Sequence, residues 1–197
     1  MRPPPHPPLI LASTSAYRRE LLGRLRVTFE AVAPGVDESP QPGELPEPLA
    51  RRLSFEKAEA VARRRPGALV IGSDQTATLD GVTTVGKPGD HQRAVAQLRA
   101  ASGRTMVFYT GVCLRQPDGR AEVDCIVTRV RFRPLELLEI ERYLRIDTPY
   151  DCAGSAKAEG LGAALLESQD GPDPSALVGL PLIRLASMLR AAGLALP

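Results

Sequence analysis

The chain has no tryptophan, two histidines, three cysteines and, among its 25 basic residues, only three lysines. Each scarcity excludes something. His6 sits in a proline-rich stretch and His91 heads a helical pattern. Histidine is therefore a poor choice of general base, and a carboxylate is the better candidate. No Ser-His-Asp or Cys-His arrangement assembles either. Cys113, Cys125 and Cys152 are widely spaced, odd in number and without a CxxC pair. That argues against a zinc site or disulfide framework and for reduced thiols. No apolar run approaches the roughly 20 residues that span a bilayer. The start, "MRPPPHPPLI", carries prolines where a secretory signal needs an apolar helix. Residues 1–8 are expected as an extended tail ahead of one domain, 9–197, with no membrane contact and a cytoplasmic location. The formal net charge of +2 is too small for a general nucleic-acid or membrane binder, so any anion must be held by a local site.

The three lysines, Lys57, Lys87 and Lys157, lie in "SFEKAEA", "VGKPGD" and "GSAKAEG". A coding bias that replaced lysine by arginine would leave a few by chance. The alternative is that these sites need a compact ammonium, which a guanidinium fork does not replace. The glycine-rich context of the last two favours a function.

Residues 8–12 read as a short apolar strand. "STSAYRRELLGRL" follows as a helix capped by Ser13 or Ser15, with Leu21, Leu22 and Leu25 on one face. Further strands are expected over 27–32, 68–73, 105–114 and 123–132, the last two joined by the "PDGR" turn, with a hairpin signal at Asp80-Gly81. Helices are expected over 48–65, 91–101, 134–145 and the C-terminal "LPLIRLASMLRAAG", closed by Gly193. Strands and helices without strict alternation indicate an α/β fold with a mixed sheet.

Three stretches carry chemistry. In "ASTSAYRRELL" a strand ends in hydroxyl residues and a helix begins with Arg18 and Arg19. Free helix N–H groups, the hydroxyls of Ser13, Thr14 and Ser15 and two guanidinium groups form a candidate phosphate cradle. The plain alternative is a helix cap beside two solvated arginines. In "GVDES", Asp37 and Glu38 are either solvated loop charges or ligands for Mg²⁺, which takes one or two carboxylates plus phosphate oxygens. In "VIGSDQ" an apolar strand is expected to end at Asp74, at the sheet edge where α/β folds bind ligands. Asp74 is a turn residue, a metal ligand or a general base. Together these stretches suit metal-assisted attack of water on a phosphate ester.

"LILASTSAYRRELL", "VTFEAVAPGVDES", "SFEKAEA", "VIGSDQ", "GKP", "YTGVCL", "YDCAGSAKAEGLG" and "LVGLPL" resemble, in order, the landmarks of the Maf-like nucleotide pyrophosphatases, from Leu9 to about Gly193. The resemblance implies a single two-lobed α/β domain with an elongated mixed sheet and a central cleft (Maf/ITPase-like). It also implies hydrolysis of a nucleoside triphosphate between the α and β phosphates with a divalent cation, Mg²⁺ or Mn²⁺, and a homodimer. Carried over by motif, Ser13, Arg18 and Arg19 bind the phosphates. Glu38, Lys57, Asp74 and Lys87 surround the reacting phosphorus and the metal, with Glu38 and Asp74 as metal ligands and Asp74 as proton acceptor. Tyr17, Gln75 and Glu159 vary with the base, and Lys157 has no clear role. "SDQ" and "KAEG" resemble the subfamily acting on 7-methyl-GTP rather than dTTP or UTP; Tyr17 replaces its usual tryptophan. N7-methylation makes guanine cationic, which suits an aromatic face (Tyr17) and an anion (Glu159). Members with a pyrimidine preference, and a non-catalytic role in septum formation, are the competing expectations.

Overall fold

A computed structural model describes residues 7–197. The elements run β1 (Leu9–Leu11), α1 (Ala16–Gly23), β2 (Glu30–Ala31), α2 (Pro46–Arg64), β3 (Leu69–Thr78), β4 (Thr84–Val85), α3 (His91–Ala101), β5 (Thr105–Arg115), β6 (Ala121–Phe132), α4 (Leu137–Asp147), β7 (Leu166–Asp170) and α5 (Leu182–Ala191). All seven strands join one mixed sheet in the order β2-β1-β3-β5-β6-β7, with β4 also on β3. Only β1 pairs in parallel, with β2 and β3; every other pair is antiparallel. No helix among the described residues is long and apolar enough to cross a membrane.

The long strands β3, β5 and β6 run the length of the sheet, and separate cores form at its two ends. At one end Leu9, Leu11, Leu69 and Ile71 pack against Leu21 and Leu22 of α1 and Leu185 and Leu189 of α5. The opposite face of that end packs Ile10, Ala12 and Val70 against Ala58 and Val61 of α2. At the other end Ala77, Met106, Phe108 and Phe132 pack against Leu98 of α3 and Ile140 and Leu144 of α4. This is the expected α/β domain of two lobes on one elongated mixed sheet. The period-two alternation along β3 sends odd and even residues to opposite faces, and that later separates neighbouring site residues.

Several expected boundaries shift. The expected tail, 1–8, lies outside the described residues except for Pro7 and Pro8. The Pro8 carbonyl already accepts from Leu69 N–H at 2.8 Å. The expected strand over 27–32 contracts to Glu30–Ala31, a pairing partner for Ile10 and Leu11 alone. The helix expected from Pro134 begins at Leu137, because Glu136 and Glu139 form a reciprocal capping box there. Most consequential, the strand carrying Asp74 does not end there: β3 continues to Thr78, and Asp74 lies opposite Gly111 in mid-strand. What ends is its neighbour. β1 stops opposite Ile71 and β4 first pairs at Ala77, so residues 73–76 have a strand on one side only.

Glycine sets how closely α2 approaches this gap. A Cβ on Gly72 would lie 2.0 Å from the Ser54 carbonyl oxygen, and one on Gly111 2.2 Å from that of Ala50. The α2 backbone therefore rests on the sheet and delivers Lys57 to its surface. Gly72→Ala is expected to destabilise the fold by about 3 kcal/mol through overpacking. The urea midpoint should fall at unchanged m-value. Gly23→Ala, with open space around its Cβ position, should leave the midpoint nearly unmoved.

Candidate active site

The gap beside β3 is filled by charged side chains from four segments. Lys57 is 4% exposed and Asp74 7%. Lys57 Nζ donates to Asp74 Oδ1 at 2.6 Å and lies 2.9 Å from Glu38 Oε1. Burial of an unpaired ammonium would be prohibitive; the two carboxylates compensate Lys57, and the Arg18 guanidinium beside them offsets the remaining negative charge. Lys57 engages Asp74 through Oδ1, the oxygen at 2.6 Å, rather than Oδ2. Of the two loop acids, Asp37 is spent locally. Its Oδ1 accepts from Ser39 N–H at 2.9 Å, a bond that holds its carboxyl below the usual range. Glu38 is the one that reaches the lysine.

The hydroxyl loop closes the same gap from β1. Ser15, rather than Ser13, is the N-cap of α1; its Oγ accepts from Arg18 N–H, while Ser13 Oγ accepts from Ser15 N–H at 3.1 Å. Arg18 Nε donates to the Gly179 carbonyl at 2.8 Å. Burial pulls the Arg18 guanidinium below its ordinary range, and Asp74 and Glu38 pull it back up. The partner of Ser13 Oγ is the Ser15 N–H of the cap, while Arg18, Glu38, Lys57 and Asp74 form one cluster. Arg19 and Lys87 do not join it: both are exposed and neither makes an ion pair among the described residues. The loop of Lys87 is tied elsewhere, Gly89 N–H donating to the Tyr150 carbonyl at 3.0 Å.

The three residues expected to vary with the base are divided. Burial chiefly, then Cys152, Asp151 and Glu159, raise the Tyr17 phenol above its ordinary range, which places Tyr17 and exposed Glu159 in one electrostatic neighbourhood. Cys152 Sγ lies 3.9 Å from Tyr17 Oη. Gln75 sits on the face of β3 opposite Asp74. Its Nε2 lies 3.0 Å from Thr110 Oγ1, 2.9 Å from the Ala176 carbonyl and 3.0 Å from that of Leu177. These acceptors fix the amide's orientation and leave only Oε1 free, so Gln75 can accept a hydrogen bond but not donate one. Two surface hollows, one against Arg133–Glu139 and one between Glu59, Arg65 and Arg115, touch none of these residues.

What the residue types did not reveal is the turn at 176–179. Ser73, Gln75, Thr110 and Arg18 all direct polar atoms to its carbonyls. Gly179 has φ of +117°, and its Cβ position lies 3.5 Å from Arg18 Nε. The turn is anchored by Asp173, 2% exposed, whose carboxylate accepts from Ser175 and from Ile183 at the start of α5. The only sequence signals are a landmark with no role attached, "LVGLPL", and an unread Asp-Pro-Ser.

A divalent cation has a suitable donor set here. The described residues hold no group of three or more His, Cys, Asp or Glu side chains placed to hold a metal ion. Glu38 and Asp74 meet on one cation, and two carboxylates are what Mg²⁺ takes when phosphate oxygens complete its shell.

The family described as Maf-like protein matches residues 8–192. The chain belongs to this family. Among its Maf-like relatives, the 7-methyl-GTP pyrophosphatase of Burkholderia thailandensis is 58% identical over 191 residues, covering 95% of this chain and 88% of that one. The protein of the same name from a Polaromonas species is 60% identical over 190 residues, covering 96% and 86%. Of solved structures, the dITP/XTP pyrophosphatase of Mycobacterium abscessus is 18% identical with a TM-score of 0.48, covering 94% of this chain and 98% of that one. The Ham1 protein of Staphylococcus aureus is 17% identical with a TM-score of 0.46, covering 63% and 71%.

The thiols of this Maf-like chain stay protonated at neutral pH. Burial pushes Cys113 and Cys125 up to about 12; burial and the Asp151 charge push Cys152 up to about 11. Unfolded thiols ionise near 8.5, so from that pH upward the unfolded chain loses protons first and stability falls as pH rises. At pH 8.5 iodoacetamide should label Cys152 at least tenfold more slowly in the native chain than in urea, because the thiolate is the nucleophile. Mass spectrometry of timed aliquots measures it; equal rates would contradict the burial argument.

Proposed function

We propose that the chain is a nucleoside triphosphate pyrophosphatase that hydrolyses 7-methyl-GTP to 7-methyl-GMP and pyrophosphate. The observation that carries the reading is the buried Lys57 ammonium held between Asp74 and Glu38 beside Arg18. Relatives named 7-methyl-GTP pyrophosphatase, 57–60% identical over 93–96% of the chain, support the substrate.

In this reading water attacks the α-phosphorus. A new P–O bond forms, the bond from the α-phosphorus to the bridging oxygen breaks, and that oxygen leaves with pyrophosphate. Asp74 Oδ2, the oxygen that Lys57 does not engage, takes the proton of the attacking water. Lys57, once released toward the substrate, and Arg18 neutralise charge growing on the phosphoryl oxygens. Ser13 lies just before α1, and Arg19 and Lys87, exposed and without an ion pair among the described residues, meet the β and γ phosphates. Glu38 and Asp74 would hold the divalent cation, Mg²⁺ or Mn²⁺, which supplies Lewis-acid neutralisation when bound with the phosphates. Tyr17 offers a face to the cationic base, worth roughly 0.5–2 kcal/mol. Glu159 supplies the opposing charge, and Gln75 Oε1 accepts from a base N–H.

Hydrolysis in ¹⁸O-water with Mg²⁺ should place the label in 7-methyl-GMP; label in pyrophosphate would overturn attack at the α-phosphorus. Across 7-methyl-GTP, GTP, dTTP and UTP, kcat/KM should be highest for the methylated base. Asp74→Asn should bind nucleotide but lose about 10²–10⁴-fold in kcat, the usual contribution of a positioned base. Glu159→Gln should lower kcat/KM for 7-methyl-GTP at least tenfold more than for UTP.

A further inference from the structure

Of the three lysines, one is unlike the others. Lys57 faces two carboxylates and Lys87 is exposed with no ion pair among the described residues, whereas Lys157 is bonded at its N–H, its carbonyl and its Nζ. Its N–H donates to Tyr143 Oη at 3.0 Å, its carbonyl accepts from Gly160 N–H at 3.0 Å, and its Nζ donates to the Asp147 carbonyl at 2.9 Å. The Asp147 bond takes one of the three N–H donors of the ammonium and fixes where the others point.

The Nζ acceptor is the main-chain carbonyl of the last residue of α4, immediately before Thr148 turns left-handed at φ 41°, ψ 55°. A helix C-terminus presents unpaired carbonyls and the negative end of the helix dipole, and a compact cation suits it. The bond from Gly160 to the Lys157 carbonyl closes a four-residue turn whose inner positions are Ala158 and Glu159. The chain must then double back across Lys157. A Cβ on Gly162 would lie 2.5 Å from the Lys157 carbonyl oxygen and 2.8 Å from its nitrogen. Upstream, Ser155 is fully buried and its Oγ donates to Gln97 Oε1 of α3 at 2.6 Å. Lys157 is thus the one side chain of residues 156–160 that fastens the exposed Glu159 turn to a helix.

We infer that Lys157 is a positioning residue for base recognition: its ammonium pins the Glu159 turn to the end of α4 and so fixes the Glu159 carboxylate on the segment whose Cys152 Sγ lies 3.9 Å from Tyr17 Oη. The inference rests on the reading of Glu159 as the anion that meets the cationic base.

The test compares Lys157→Met, Lys157→Arg, Glu159→Gln and the double variant Lys157→Met/Glu159→Gln on 7-methyl-GTP and UTP. Lys157→Met keeps both main-chain bonds and most of the stem but removes the tie. It should raise KM for 7-methyl-GTP about tenfold with kcat changed less than twofold, and leave UTP turnover unchanged. Lys157→Arg, which keeps a donor for the Asp147 carbonyl, should recover most of the KM. The double variant should be no worse than Glu159→Gln alone, because residues acting through one another are not additive. Additive losses, a fall confined to kcat, or equal loss on both substrates, unfolding included, would overturn the inference. If Glu159→Gln is selective and Lys157→Met is not, only this inference falls. If Glu159→Gln loses equally on both substrates, the base-reading role falls with it.

Discussion

The buried ion pair between Lys57 and Asp74 is the constraint around which the rest is arranged. A pair this far from solvent is costly unless its geometry is close and its remaining valences are met. Here the closeness comes from two missing side chains. Gly72 and Gly111 let the α2 backbone lie on the sheet, at the one level of β3 where β1 has stopped and β4 has not begun. The second carboxylate, Glu38, arrives from a loop that otherwise satisfies itself through Asp37 and Ser39. The cluster is electrically balanced before any nucleotide arrives. An incoming triphosphate meets cations whose desolvation cost has been met by folding rather than at the moment of reaction.

Two supporting devices hold the ends of this site. The turn at 176–179 receives Arg18 on its Gly179 carbonyl and is itself gripped by Ser73, Gln75 and Thr110. The Arg18 guanidinium is thereby tied to both β3 and β5. At the other end, the segment from Cys152 to Gly162 is fastened to α3 through Ser155 and to α4 through Lys157. His91 adds a link between the lobe's loops, with Nδ1 3.0 Å from Tyr150 Oη and Nε2 3.0 Å from Glu141. The carbonyls of Ala176, Gly179 and Asp147, which receive Gln75, Arg18 and Lys157, are groups any sequence supplies and so do not announce themselves in residue types.

Much of the site was legible because scarcity is informative. With no usable histidine and three lysines, Asp74 and Lys87 stood out before any coordinate, whereas Lys57 entered the site only through the family resemblance; the hydroxyl-arginine start of α1 was recognisable from helix-terminus chemistry. Element types were legible as well; their ends were not. Glu136 rather than Pro134 starts α4, because a reciprocal cap outweighs proline's preference for a first turn. Asp74 was read as the last residue of a strand because the apolar run ends there. The strand in fact continues through polar residues whose partners, Thr110 and the 176–179 turn, are distant in sequence.

By itself the sequence determined the α/β mixture and the stock of hydroxyl, guanidinium, ammonium and carboxylate groups that it presents. Residue types and short-range periodicity suffice for that, because they depend on neighbours a few positions away. Only the tertiary structure decided which of those groups act together. It joined Glu38 and not Asp37 to Lys57, placed adjacent Asp74 and Gln75 on opposite faces of one strand, and committed Lys157 to a helix end. Those choices follow from where β1 stops and how closely two glycines let α2 approach, and both are properties of contacts between segments far apart in the chain.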